Sequence, residues 1–235
     1  SLAATYTSLS ASHSLMGRWD EVSDTRRKAW EIYEDISRRD PANEADQRSL
    51  AQANYRMASI LLFQKKFDVG LSRAKRALDI DEALLLRHPG NVQFQVAVAQ
   101  DHTFYGNGLV QAGRVRDGLE ELRVGRERYA RLAVLDPQEV RTRTLLATNE
   151  VFTAKALLRE GKWPLALALV QKSLVSRVKL SKENPMNAGA RGEVAESFGA
   201  LGDVLARAGK QPEALGAYRE AMTVLTGLER EGKAN

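Results

Sequence analysis

Apolar side chains recur every third or fourth residue along much of this chain. Val194, Phe198, Leu201, Leu205 and Ala208 form one stripe, and Leu215, Tyr218, Met222, Leu225 and Leu228 form another. Leu146, Thr153, Leu157 and Leu158 alternate with polar positions in the same way. This spacing follows the 3.6-residue turn of a helix and gathers the apolar groups on one face. No segment alternates apolar and polar residues with period two for long. The pattern predicts an all-α protein.

The stripes are punctuated at a fixed interval. Pro41, Pro89, Pro137 and Pro185 stand 48 residues apart and follow Asp40, His88, Asp136 and Asn184. A second mark keeps the same step: Gly17-Arg18, Lys65-Lys66, Gly113-Arg114, Gly161-Lys162 and Gly209-Lys210. Glycine takes a left-handed backbone cheaply and cations face the negative end of a helix, so the Gly-basic mark predicts helix C-termini. The Asp/Asn-Pro mark predicts helix starts, with an acceptor capping and proline in the first turn. Each unit is therefore a hairpin of two helices, each of about 20 residues, or roughly 30 Å. The units run over about 1–40 (with an incomplete first helix), 41–88, 89–136, 137–184 and 185–235. A repeat of this kind overrides the one or two domains that length alone suggests, and predicts a single array over 1–235.

Three columns show how such helices must pack. Ser10, Ala58, Gly106, Ala154 and Gly202 align in the first helices; Val22, Gly70, Gly118, Ala166 and Ala214 align in the second helices, as do Ala29, Ala77, Gly125, Ser173 and Ala221. Mid-helix glycine costs about 1 kcal/mol against alanine, so a column that accepts it answers a steric demand. These are sites where helix axes approach closely.

The arrangement resembles the tetratricopeptide repeat (TPR). That family pairs Leu-Gly in the first helix with Ala, an aromatic residue and Ala in the second, as in Leu201-Gly202, Ala214, Tyr218 and Ala221. The period departs from the family's, being 48 residues against about 34, an excess of roughly four helical turns. In repeat length the chain is similar to the long-hairpin repeats found C-terminal to some bacterial serine/threonine kinase domains. The resemblance implies a right-handed superhelical solenoid of about ten helices that binds a protein or peptide in a concave groove. The alternative it implies is a regulatory or docking tail of a larger bacterial signalling enzyme.

Composition narrows the chemistry. There is no cysteine, which excludes disulfides, thiolate metal sites and cysteine nucleophiles. His13, His88 and His102 have no partner at metal-ligand spacing, so no metal and no cofactor is expected. Gly106-Asn107-Gly108 falls mid-helix with no strand before it, and no Ser or Thr follows the lysine of Gly161-Lys162, so neither is a phosphate loop. The chain is expected to have no catalytic machinery of its own. A net charge of +5 permits an acidic partner. Arg26-Arg27-Lys28 and Lys75-Arg76 lie beside Glu31, Glu34, Asp79 and Asp81, a pattern of solvated surface rather than of a nucleic-acid interface. No apolar run approaches the ~20 residues that span a bilayer. A cytoplasmic protein is expected, or a piece of a larger protein that is itself membrane-anchored.

By the resemblance, solvent-facing positions of the first helices line the groove. Carried over by register these are Gln52, Tyr55 and Ser59, then Gln100, Thr103, Asn107 and Gln111, then Thr148, Lys155 and Arg159, and last Glu196, Asp203 and Arg207. Gln52, Tyr55, Gln100, Thr103, Asn107, Gln111, Lys155 and Arg159 are the leading peptide-binding candidates. Amides can satisfy both backbone donors and acceptors of a bound segment, and Arg159 can grip a carboxylate with two bonds. In the repeat frame residue 1 matches Ser49 and Ala97, and Leu215, Met222 and Leu225 have no following unit to cover them. The expectation is an excerpt of a longer protein whose C-terminal helix face is covered in the parent by another element, or here by self-association with a second copy.

Overall fold

The computed structural model describes residues 2–234, with side chains as far as residue 232. Those residues form ten helices and no strand. In order they are α1 (Leu2–Leu15), α2 (Trp19–Arg39), α3 (Glu44–Phe63), α4 (Phe67–Arg87), α5 (Val92–Gln111), α6 (Val115–Leu135), α7 (Val140–Arg159), α8 (Trp163–Glu183), α9 (Ala188–Arg207) and α10 (Gln211–Ala234). The chain divides into two compact units, Ser1–Gly113 and Arg114–Asn235. Within the first unit each of α1 to α5 packs on the next, and within the second each of α6 to α10 does the same, with α7 also touching α9.

The expected stop signals are where the first helices end. Gly17, Gly113, Gly161 and Gly209 have φ of 68°, 85°, 74° and 78°, the left-handed region that glycine enters without a Cβ penalty. Lys65 takes the same place at φ 58°. After Lys65, Gly161 and Gly209 the next residue turns its N–H back across the helix end: Lys66 donates to the Leu61 carbonyl at 2.8 Å, and Lys162 and Lys210 donate to Leu157 and Leu205 at 2.9 Å. This is the Schellman closure, which satisfies carbonyls a helix end would otherwise leave open.

The Asp/Asn-Pro mark works differently from the expectation. Asp40, His88, Asp136 and Asn184 are C-caps of the second helices, and the prolines lie in the turn. The N-cap falls two residues past each proline, on Asn43, Asn91, Glu139 and Asn187, whose side chains accept from N–H groups of the first turn. Asp40 and Asp136 accept instead from the N–H groups of Ala42 and Gln138, closing small turns around the proline. A proline's fixed φ serves such a turn as well as it serves a helix start, and the sequence pattern does not separate the two.

All three small columns are buried along their length. The close approach is tightest at Gly202, where a Cβ would lie 2.4 Å from the Tyr218 ring. At Gly70 and Gly108 a Cβ would come to 2.9 Å from the Leu62 side chain. Gly202→Val is therefore expected to lower the stability of the second unit by about 1–3 kcal/mol, since overlap must be relieved by strain. Urea unfolding followed by circular dichroism checks this; an unchanged midpoint would mean that the Tyr218 ring swings away without cost.

Candidate functional site

The eight leading candidates divide between the units. Gln52, Tyr55, Gln100, Thr103, Asn107 and Gln111 belong to α3 and α5, whereas Lys155 and Arg159 belong to α7. In the first unit the structure brings Tyr55 and Gln100 together through a side-chain hydrogen bond. The Tyr55 ring also packs on Phe104, with centroids 4.4 Å apart. Burial pushes the Tyr55 hydroxyl above the usual tyrosine range, against the pull of the Gln100 bond. Asn107 is half-buried, and Gln111 is exposed as the last residue of α5. Gln52 is exposed and lines a cavity of about 40 Å³ with Thr7, Ser10, Arg26, Ser49 and Arg56, a polar space with room for ordered water. Thr103 is buried, and its hydroxyl donates to the Ala99 carbonyl one turn back at 2.9 Å.

In the second unit Lys155 is half-buried and its ammonium donates to Glu196 of α9 at 2.7 Å. Arg159 is exposed at the last residue of α7. Behind Lys155 lies a group that register alone does not reveal. Arg177, on α8, is 1% exposed, and its guanidinium reaches between α7 and α9. It donates to the Glu193 carbonyl at 2.8 Å, to Glu196 and Ser197 at 3.1 Å, and to the Thr148 hydroxyl at 3.0 Å. Burial raises the Glu196 carboxyl, but Lys155 and Arg177 outweigh it and hold that carboxyl below its usual range. Asp203 accepts from the Tyr218 hydroxyl at 2.7 Å, which lifts that phenol to about 12.

The first unit repeats the device with different residues. Arg26 of α2 donates to Ser10 at 3.1 Å, to the Arg56 carbonyl at 3.0 Å and to Ser59 at 2.7 Å. So the second helices send arginines onto the polar faces of the first. The sequence holds a trace of this: Arg26 shares a column with Ala74, Leu122 and Val170, and Arg177 with Tyr33, Asp81 and Tyr129. A long cation in the column of Ala74, Leu122 and Val170, otherwise small or apolar, needs a polar destination, whereas the Arg177 column already holds the polar groups of Asp81 and two tyrosines.

One further groove escapes the register argument. It has a volume of about 740 Å³ and lies between α6, α7 and α8, lined by Leu119, Leu157, Leu165 and Leu169 with Arg116 and Arg126. Arg126 stands in the column of Trp30, Leu78, Leu174 and Met222. In the first unit Trp30 stacks on Arg73, with the guanidinium 3.8 Å from the ring centroid. The corresponding pair in the second unit is Arg126 and Leu169, which cannot stack in that way.

Among the described residues no cluster of three or more His, Asp or Glu is placed to hold a metal ion. No helix among them is long and apolar enough to cross a membrane. What the faces offer is recognition chemistry: amides, hydroxyls, a tyrosine and cations presented by paired helices.

No protein-family model matches the chain, and no curated protein matches it in sequence. Solved structures do. The nearly identical TPR-like repeats of a putative kinesin light chain from Podosopora anserina superpose with a TM-score of 0.59 at 13% identity, covering 97% of this chain and 96% of that one. The apo form of RapI gives a TM-score of 0.61 at 11% identity, covering 97% of this chain and 84% of that one. BtubC from P. vanneervenii gives 0.52 at 12% identity, covering 90% and 92%. At these identities the likeness speaks for the fold: the chain has the all-helical, TPR-like hairpin-repeat fold.

Proposed function

We propose that this chain is a protein- or peptide-binding scaffold that uses the polar faces of its first helices and performs no catalysis itself. The observation that carries the reading is the pairing of those faces within each unit. Tyr55 meets Gln100 across α3 and α5, and Lys155 meets Glu196 across α7 and α9. Each pair of first helices thus offers one continuous polar strip on which an extended segment can lie. A ligand with acidic groups suits the second unit. The Lys155–Glu196 pair is close to half exposed, and ion pairs of that kind contribute only about 0–1 kcal/mol. An incoming carboxylate can take Lys155 cheaply, because Glu196 keeps its bond to Arg177. Arg159 lies one turn further along the same helix face.

The test starts from peptides selected on the intact protein from a random library. The selected peptides should carry acidic residues, and Lys155→Glu with Arg159→Glu should weaken their binding by about 1–3 kcal/mol, as expected for charge-assisted contacts. Peptides that bind the double variant as tightly as the parent would remove the groove assignment. A docking role inside a larger signalling enzyme is favoured by one observation, the strict 48-residue step from Glu44 to Val92, Val140 and Ala188 at the helix starts. A Gly-rich loop and a kinase catalytic-loop motif in the same coding sequence would decide for it.

A further inference from the structure

The repeat serves as its own control for the groove between α6, α7 and α8. Its lining departs in two opposite ways from the residues at multiples of 48 positions away. Inside, the apolar fillers are gone. Thr153 stands where the other first helices carry Leu9, Met57, Tyr105 and Leu201, and a cation, Arg126, stands where the other second helices carry Trp30, Leu78, Leu174 and Met222. On the rim, apolar groups are gained. Leu165 stands in a column of three acids and one valine (Glu21, Val69, Asp117 and Glu213), and Leu169 in the column of Thr25, Arg73, Glu121 and Ala217. Leu165 is 58% exposed.

Elsewhere the corresponding space is closed. In the first unit Met57 of α3 is buried and Trp30 of α2 stacks on Arg73 of α4. Further along the second unit, Leu167 of α8 and Leu201 of α9 pack against one buried cluster. Between α6 and α8 the walls instead stand apart over about 740 Å³. A concave apolar surface left in water inside an otherwise filled repeat is ground for a partner. The charges have changed with it. Arg116 takes the position of Asp20 and Asp68. Arg123 is spent on Glu120 and Glu127, each at 2.6 Å, and Lys162 lies 3.6 Å from Glu160. No carboxylate among the described residues pairs with Arg116 or Arg126. These two stand ten positions apart, which is about 15 Å along α6.

We propose that this groove seats an amphipathic helix of a partner protein, with leucine-like residues turned to α7 and two acidic residues, about three turns apart, reaching Arg116 and Arg126. The apolar stripe of such a helix fills the hollow beside Thr153 and covers Leu119, Leu157, Leu165 and Leu169. The exposure of Leu165 selects a helix over a small amphiphile. A single acyl chain in so open a groove keeps one side in water, whereas a helix presents a polar face there. None of the lining residues belongs to the Lys155–Glu196 strip, so this is a second surface and does not rest on that strip.

Fluorescence anisotropy on the intact chain tests the assignment with a labelled helical peptide of alanine and glutamine, about 14 residues long. It carries leucines at i, i+3 and i+4 and a glutamate at each end of that stripe, about three turns apart. It should bind at about 10–100 μM or tighter, and its lysine-for-glutamate counterpart at least about tenfold more weakly, as charge-assisted contacts to two arginines require. Two variants return the groove to the repeat's own residues. Leu165→Glu restores the acid of Asp117 and Glu213, and Arg126→Leu restores the filler of Leu78 and Leu174. Both should melt no lower than the parent and each should weaken the glutamate peptide about tenfold or more. If Arg126→Leu fails to fold, Leu165→Glu, at an exposed position, decides alone. Lys155→Glu with Arg159→Glu should leave this peptide's affinity within about twofold, which separates this groove from the first-helix strip. No binding up to about 1 mM, equal binding of the lysine peptide, or undiminished affinity in a folded reversion variant overturns the proposal. So does displacement by dodecanoate below the peptide's own Kd, which would give the groove to a small amphiphile.

Discussion

Arg177→Ala is expected to destabilise the second unit by about 2–4 kcal/mol, from the space a buried side chain leaves and the loss of several hydrogen bonds from a charged donor. Truncation leaves a cavity between α7, α8 and α9. It also strips donors from the Glu193 carbonyl, Ser197, Glu196 and the Thr148 hydroxyl, all of which bond to this one guanidinium. Glu196 would still hold Lys155, but its second oxygen would be left half-buried without a cation. Amide hydrogen exchange reads the effect by region. Protection should fall across α7 to α9 while α3 and α4, in the other unit, keep theirs. If the variant lies within about 1 kcal/mol of the parent in these helices, the buried arginine is not what joins them. Arg177→Met separates the causes. It refills most of the volume without the charge, so it should recover part of the stability but not the order of the Lys155–Glu196 strip.

Stability of the first unit is expected to fall as pH rises from about 4. Asp101 of α5 and Asp81 of α4 are both buried and lie side by side, with Arg48 of α3 paired to Asp81. Burial, followed by the neighbouring Asp81 carboxylate, pushes the Asp101 carboxyl well above its ordinary range; Arg48 pulls the other way and Glu82 adds to the rise. His102, also facing this cluster, sits 3.3 Å from Glu82. A carboxyl whose folded pKa is raised binds its proton more tightly in the folded state than in the unfolded chain. Between its unfolded value, near 4, and its folded value, each pH unit therefore costs about a tenfold loss in the folding equilibrium. Below that window both states are protonated, and above it both are ionised, so the loss stops at each edge. Asp101→Asn keeps the shape and a donor for Asp81 but has no proton to lose. It should match the parent near pH 3, flatten this part of the profile, and be the more stable of the two at pH 7. Chemical denaturation at several pH values checks this, and a parent and variant with parallel profiles would show that Asp101 does not hold its proton.

How much of this was readable beforehand depends on the range over which each feature is determined. The 48-residue step, the glycine stops and the small columns are visible in sequence because each is set by a backbone or steric demand that recurs at one register. Gly161 must be left-handed whatever surrounds it, and Gly202 must be small because Tyr218 of the same hairpin lies over it. The proline mark was legible as punctuation but ambiguous in meaning, since a turn and a helix start ask for the same residues. Asn43 and Asn91 resolve it only once their side chains are seen to accept from the first turn.

The candidate site is the opposite case. Register places Thr103 and Lys155 on the polar side of a first helix, yet Thr103 is buried onto its own backbone and Lys155 is engaged by Glu196. Those outcomes depend on partners one turn away in one case and 41 residues away in the other. Arg26 and Arg177 likewise reach across hairpins to groups 16 to 33 residues distant. A helical wheel records which way a side chain leaves its own axis and nothing about which neighbour it meets. The sequence by itself therefore determined the helices, their ends and the lines along which they pack, because these are local and repeated demands. Only the tertiary structure decided which polar groups are consumed in holding the hairpins together and which remain for a partner, because pairings such as Lys155 with Glu196 and Arg177 with Ser197 join residues from different helices.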